Sequence, residues 1–135
     1  MSSGTPQHEF VTDTMGLVLH LEKRKFSQRS KTIFAEAESS KVLVYIPAIV
    51  IAEILYLSEK KRIGLTLQIV HQYLSRFSSF QEYPLNYAIV NTAAEITDIP
   101  ELHDRLIAGT ARYLNLSLIT NDPVIEESKF LKTIW

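Results

Sequence analysis

Apolar and polar positions follow two periods along this chain, and the changes from one period to the other divide it into short strands and one-sided helices. Glu9-Phe-Val-Thr-Asp13 reads as a strand, and Met15 to Leu21 continues as an apolar helix. Ser30 to Ser39 sets Ile33, Phe34 and Ala37 at helical spacing with Glu36 and Glu38 facing out, which predicts an amphipathic surface helix. Val42-Leu-Val-Tyr-Ile46 is a continuous β-branched and aromatic run, the pattern of an inner parallel strand. Pro47 then suits the first turn of a helix from Ala48 to about Lys60. Leu65 to Phe77 predicts a further helix with Leu67, Val70, His71 and Leu74 on one stripe, so His71 reads as a core or rim histidine rather than a ligand. Phe80 to Leu85 predicts an edge strand, because an inner strand tolerates Pro84 poorly.

Asn86 to Thr97 predicts another helix, and Asp98-Ile-Pro-Glu101 has the spacing of a reciprocal cap before a helix from Asp104 to Leu114. Asp98 therefore reads as structural. Asn115 ends that helix, and Leu116 to Thr120 predicts a short buried strand. Asn121-Asp122-Pro123 turns the chain into a short helix through Lys129, and Phe130 to Trp135 predicts a last strand. Strands alternating with helices and helix pairs indicate an α/β domain built on a parallel sheet.

Length and composition narrow the class. With 135 residues, 46% of them hydrophobic, the chain can bury a continuous core as one unit. Residues 1–8 read as a flexible lead and 9–135 as a single domain. Four glycines and five prolines, spread singly, leave no linker or repeat. The lack of cysteine excludes disulfides and thiolate metal sites and is compatible with a reducing cytoplasm, where the protein is expected. The opening residues do not resemble a secretory signal, and the most apolar run, Val42 to Leu57, is interrupted by Pro47 and Glu53, so no membrane partner is expected. Fourteen basic and fifteen acidic side chains give a net charge of −1, which excludes coating of nucleic acid by bulk electrostatics. Local contact through Lys23-Arg24-Lys25 or Lys60-Lys61-Arg62 stays open, alongside the plainer reading of each as a solvated helix end.

Four acids stand where the pattern gives no reason for a charge. Asp13 and Asp122 each follow a predicted strand, at the carboxyl edge where parallel sheets bind ligands, although an N-cap role would account for Asp13 if it stood alone. Asp104 lies on the same helical face as Ile107, Ala108 and Ala111. Glu53 is the only charge between Val42 and Leu57, with Ile49, Val50, Tyr56 and Leu57 as its helical neighbours. An unpaired carboxylate there costs several kcal/mol, so it needs a buried Arg or Lys, or a metal ion shared with the other acids. Four acids in one crevice repel each other, and the hard cations that relieve such repulsion through oxygen ligands are Mg²⁺ and Mn²⁺. Such a site suits metal-assisted phosphodiester hydrolysis. No Gly-rich phosphate loop is present, so nucleoside triphosphate chemistry is not indicated.

At these residues the chain resembles the PIN domain ribonucleases, and within them the toxins of VapBC-type toxin–antitoxin pairs. The matching pieces are Val11-Thr-Asp-Thr14, Ile46 to Leu55, His103 to Ala111 and Leu118 to Pro123, in the expected order. The resemblance implies a three-layer α/β fold with a central five-stranded parallel sheet flanked by helices. It implies that Asp13, Glu53, Asp104 and Asp122 hold Mg²⁺ or Mn²⁺ as the catalytic centre. Thr14, Thr120, Asn121 and Arg105 are the candidates for supporting or substrate contacts. It further implies cleavage of RNA, a homodimer, and inhibition by a small antitoxin protein. Met15-Gly16 departs from relatives, which often carry a bulkier residue after Asp-Thr.

Other readings fit less of the chain. A receiver-type phosphorylation domain needs an adjacent acidic pair after the first strand and a Lys after the last, and neither is present. His103-Asp104 alone fits the all-helical HD phosphohydrolases, but His20 and His71 lack supporting motifs and the strand pattern disagrees. The closer alternatives are a PIN-like RNA-processing nuclease without an antitoxin and a PIN-like binding module without catalysis.

Overall fold

In the computed structural model, which describes residues 8–135, the expected alternation of strands and helices is present. The strands are β1 (Glu9–Thr12), β2 (Leu43–Pro47), β3 (Phe80–Tyr83), β4 (Ser117–Ile119) and β5 (Thr133–Ile134). They form one sheet in the order β3-β2-β1-β4-β5, every pair parallel. The helices are α1 (Thr14–Leu21), α2 (Gln28–Glu38), α3 (Ala48–Glu59), α4 (Leu67–Arg76), α5 (Tyr87–Ala94), α6 (Leu102–Leu114) and α7 (Pro123–Glu126). This is the five-stranded parallel α/β fold that the sequence predicts.

The topology follows from the order of the strands. From β1 the chain moves outward through β2 to β3, then crosses back to β4 and β5 on the other side of β1. Right-handed crossovers therefore place α1 to α4 over one face of the sheet and α5 to α7 over the other. Val11, Val44, Ile46, Leu118 and Ile119 are fully buried in the sheet, and Leu17, Phe34, Ile54 and Ile107 close over it from the helices. Residues 1–7 of the expected lead lie outside the described residues. His8 is already tied to the sheet, its carbonyl accepting the Leu43 amide at 2.8 Å.

Several local expectations shift, each for a physical reason. Pro47 does not open α3 from within; it ends β2 opposite Tyr83 with ψ of 140° and stands as the helix N-cap. Glu101, rather than Asp98, caps α6 by accepting the Asp104 amide at 2.8 Å. Asp98 is structural in another way: it takes the Ser128 hydroxyl at 2.8 Å and the Lys129 amide at 2.9 Å. The predicted last helix ends at Glu126, before these two captured residues. α5 ends at Ala94, short of the predicted Thr97, because the loop beyond it also buries isoleucines: Ile96 and Ile99 continue the apolar spacing without continuing the helix.

His71 is exposed rather than packed; Val70 is the buried residue of α4. His20 occupies an interior position instead. Its ring stacks on Phe34 at 4.6 Å, and its Nε2 lies 2.9 Å from Glu38 Oε2 and 2.8 Å from the Tyr73 hydroxyl. One imidazole thus joins α1, α2 and α4.

The closest helix pair is α5 with α6, where Gly109 lies against Ala93. A Cβ on Gly109 would stand 2.9 Å from the Ala93 Cβ and 3.1 Å from its Cα. Alanine gains about 1 kcal/mol of helix propensity over glycine, whereas overpacking against backbone costs about 1–3 kcal/mol. Gly109→Ala should therefore lower stability by about 1 kcal/mol in chemical denaturation with an unchanged m-value. Equal or greater stability would show that the two helices separate freely.

Candidate active site

β1 and β4 are neighbours at the centre of the sheet, yet the connections that leave them run to opposite sides. A crevice therefore opens beyond their carboxyl ends, the position where open α/β sheets take ligands. Asp13 is the first residue after β1 and caps α1, its Oδ1 accepting the Gly16 amide at 2.7 Å. Asp122 follows β4 and caps α7, its Oδ1 accepting the amides of Val124 at 2.9 Å and Ile125 at 3.3 Å. Both acids are caps and cavity residues at once. The capping reading and the site reading are compatible.

A Cβ at Gly16 would stand 2.6 Å from Thr12 Oγ1 and 3.2 Å from Asp13 Oδ1, so a larger residue would push on the acid that caps α1. Thr120 joins the two strand ends from beneath. It is fully buried, its hydroxyl accepts the Asp122 amide at 3.1 Å, and it hydrogen-bonds the Asp13 side chain.

Glu53 and Asp104 come from helices. Val50 and Ile54 are the buried residues of α3, so the flank bearing Glu53 faces the crevice and its side chain keeps 28% exposure. The carboxylate expected on an apolar helix surface is thus a wall residue of the crevice. Glu53 Oε1 accepts the Thr14 hydroxyl, and Oε2 lies 3.9 Å from His103 Nδ1. No Lys or Arg pairs with Glu53, Asp13, Asp104 or Asp122 among the described residues. Asp104 sits in the first turn of α6, half-buried where that helix's inward face opens into the crevice.

These four acids line one cavity of about 760 Å³ together with Thr14, Asn121 and His103. Arg105 does not line it. Its Nε is buried without a hydrogen-bond partner, and the helical turn sends it away from Asp104. His103 was not among the expected contacts, although its Nδ1 sits 3.0 Å from Glu101 Oε2 at the cavity rim. Its adjacency to Asp104 was the available signal. The rest of the lining is largely apolar, with Met15, Ile49, Tyr56, Leu57, Ile107 and Ile125 on the same helices that the acids begin or belong to.

Burial, with like charges adding to it, shows in the titration of Asp13 and Asp104. Desolvation pushes Asp13 from its ordinary 3.8 up to about 6; Thr120 and Gly16 pull against this, and the charges of Asp122 and Glu53 add to it. Asp104 is also pushed up to about 6, by desolvation first and then by Asp122, Glu101, Glu53 and Asp13. The acids therefore feel one another across the cavity.

Comparison with known proteins agrees with this architecture. The family model for the PIN domain matches residues 10–131. The chain belongs to the PIN domain family. No curated protein matches its sequence significantly. Solved structures similar to this PIN domain include VapBC2 from Rickettsia felis bound to a promoter DNA fragment. That likeness has a TM-score of 0.72 at 20% identity and covers 94% of this chain and 98% of the other. DNA-bound VapBC from Salmonella typhimurium is similar with a TM-score of 0.68 at 18% identity, over 93% and 96% of the two chains. FitAcB from Neisseria gonorrhoeae is similar with a TM-score of 0.68 at 20% identity, over 93% and 96%.

The candidate donors in the cavity, Asp13, Glu53, Asp104 and Asp122, are all carboxylates, a set that suits hard divalent cations. Among the described residues no three Asp, Glu or His side chains close on a common point as a finished cage. That openness is consistent with a cation of the Mg²⁺ type, which keeps several of its waters and takes only one or two carboxylates directly.

The electrostatics give a signed expectation. Because Asp13 holds its proton up to about pH 6 when folded, the unfolded chain releases more protons between about pH 4 and 6, and stability falls as pH rises through that window. A shift of about two units corresponds to about 3 kcal/mol. In the metal-free protein Asp13→Asn, which retains the capping oxygen, should raise Tm by several degrees at pH 7.5, with the gain fading towards pH 5. Asp104→Asn should do the same more weakly, since that side chain is partly solvated. A drop in Tm at pH 7.5 would identify either acid as a structural ion-pair partner.

Proposed function

We propose that the chain is a divalent-metal-dependent endoribonuclease and the toxin of a toxin–antitoxin pair, with 9–135 as its nuclease domain. The observation that carries the reading is the convergence of four carboxylates from separate elements on one crevice, with no lysine or arginine pairing them among the described residues. A structural role would favour neutralising partners. A site for cations and a phosphate diester favours acids left open to the cavity. Membership of the PIN family supports a nuclease, and the VapBC complexes among the similar structures support an antitoxin partner.

In this reading Asp13, Glu53, Asp104 and Asp122 hold Mg²⁺ or Mn²⁺. When bound, the cation supplies charge stabilisation at the phosphate and acidifies attacking water. The chain's own residues prepare the site. The amide of Gly16 and the hydroxyl of Thr120 fix Asp13, the Thr14 hydroxyl fixes Glu53, and the start of α7 fixes Asp122. Three of the four acids are thus oriented before any ligand arrives, so little reorganisation of them is left for the reaction, while Asp104 faces the cavity from the first turn of α6. Asn121 lines the same wall and is suited to donate to a phosphate oxygen, a role that Arg105 cannot share from outside the cavity. We extend the proposal to a homodimer acting in the cytoplasm.

Asparagine separates charge from cap, because it keeps the accepting oxygen that an N-cap needs. Asp13→Asn or Asp122→Asn should reduce Mg²⁺- or Mn²⁺-dependent cleavage of RNA by at least a hundredfold while far-UV circular dichroism stays unchanged. Undiminished cleavage by either purified variant would overturn the assignment. Growth arrest on expression, relieved by a small protein encoded beside this chain, separates the toxin from a processing nuclease; no cleavage by the wild type at all leaves a binding module.

A further inference from the structure

The apolar part of the cavity lining contains an aromatic ring that the four acids do not use. Tyr56 lies one turn beyond Glu53 on α3, lines the same cavity, and is 52% exposed. Lys60, one turn further, holds its Nζ 5.6 Å from the centroid of that ring. α3 then stops. Lys61 takes a left-handed φ of 57°, and the Arg62 amide closes on the Leu57 carbonyl at 2.9 Å, which leaves Lys60, Lys61 and Arg62 together at the surface. At 1.5 Å of rise per residue, Tyr56 is about 4.5 Å and Lys60 about 10 Å from Glu53 along the helix axis. That reach matches about one to three stacked nucleotides at 3.4 Å each.

A polyanion is repelled by four carboxylates. What holds a strand at such a site must lie beside the acids and either be neutral towards phosphate or attract it. An exposed aromatic face takes any base by stacking, and a cation beside it takes the adjoining phosphate. Cations at a helix C-terminus also favour the helix dipole, but that effect requires no position over a ring.

We infer that Tyr56 is the stacking platform for a base next to the scissile phosphate of single-stranded RNA, with Lys60 contacting the neighbouring phosphate. The bound strand runs along α3 from the acids to its basic end. The inference rests on the ribonuclease reading and specifies how that site grips its substrate. Lys60 covers one face of the ring and leaves the other for the base. Sequence preference at this position follows stacking strength, with purines favoured over pyrimidines, rather than hydrogen-bond readout.

The test measures binding apart from cleavage. A fluorescein-labelled 12-nucleotide single-stranded RNA of random sequence is titrated by anisotropy against protein carrying Asp13→Asn, in Mn²⁺. Adding Tyr56→Ala should weaken binding about tenfold or more, the effect of losing one base stack, whereas Tyr56→Trp should retain it. Lys60→Gln should weaken binding and reduce the salt slope by about 0.7, the value for one phosphate contact on a single strand. Tyr56 is exposed and alanine favours helices, so Tm should stay within about 2 °C for Tyr56→Ala. RNA binding that ignores Tyr56, or that falls equally with Tyr56→Trp, overturns the inference and leaves the ribonuclease reading standing. Absence of RNA binding by the Asp13→Asn parent overturns the inference, and the ribonuclease reading falls with it only if the wild type also fails to cleave RNA in Mn²⁺. Loss of binding to a small protein partner on Tyr56→Ala, with RNA affinity unchanged, would assign the face to that partner and overturn the inference.

Discussion

The structure of the site depends on one electrostatic constraint: carboxylates brought to the central strand ends must be tolerated without cationic side chains. Helix N-termini provide the tolerance. Asp13 and Asp122 each sit at the start of a helix, where unpaired amides and the positive end of the helix dipole offset a negative charge. Asp104 enjoys the same field in the first turn of α6. Glu53 lies mid-helix and has no such field. It is held instead by the side-chain hydroxyl of Thr14 and approached by a histidine.

The strand order makes this arrangement possible. Because the chain reverses direction between β3 and β4, the segments after β1 and β4 emerge side by side although more than a hundred residues separate them. The Asp13 amide extends the pairing by donating to the Ile119 carbonyl at 3.1 Å, and Thr120 bonds to both strand-end acids. The same residues that end the ladder therefore begin the site. A change in register here would move a catalytic candidate and a core side chain together, because Thr12 pairs with Ile119 one residue before Asp13.

Much of this was legible in the sequence because the strongest signals were local. The run at Val42 to Ile46 could only be a buried strand, and Asn115, with its φ of 57°, marks a helix end in the way a residue tolerant of left-handed backbone predicts. The acids stood out because they interrupted apolar patterns. What the pattern concealed was direction. Glu53 reads as buried from its neighbours, but of these only Val50 belongs to the core while Ile49, Tyr56 and Leu57 line the cavity, and no periodicity distinguishes an apolar wall from a packed face. Arg105 reads as near the site because it follows Asp104, yet adjacent helical residues point about 100° apart. His71 shares the stripe of Val70 only approximately, and the helix rotates it into solvent. The cap of α6 was displaced by one turn because Asp98 and Glu101 both suit the role, and only the capture of Ser128 and Lys129 by Asp98 decides between them.

The acidic and apolar parts of the cavity lining have opposite tasks, and the opposition constrains how the proposed enzyme works. With the acids bare, an incoming phosphate meets repulsion, and burial first and then the neighbouring carboxylates raise the pKa values of Asp13 and Asp104. A cation bound among them removes both penalties at once. Cation and RNA must therefore favour each other's binding, and by linkage the factor is the same in either direction. In the proposed complex, stacking on Tyr56 adds affinity that does not depend on the cation, since stacking is indifferent to the charge beside it. The substrate is thus held partly by a contact that is always present and partly by one that appears only when the site is loaded, which confines tight binding at the scissile phosphate to the state able to cleave it.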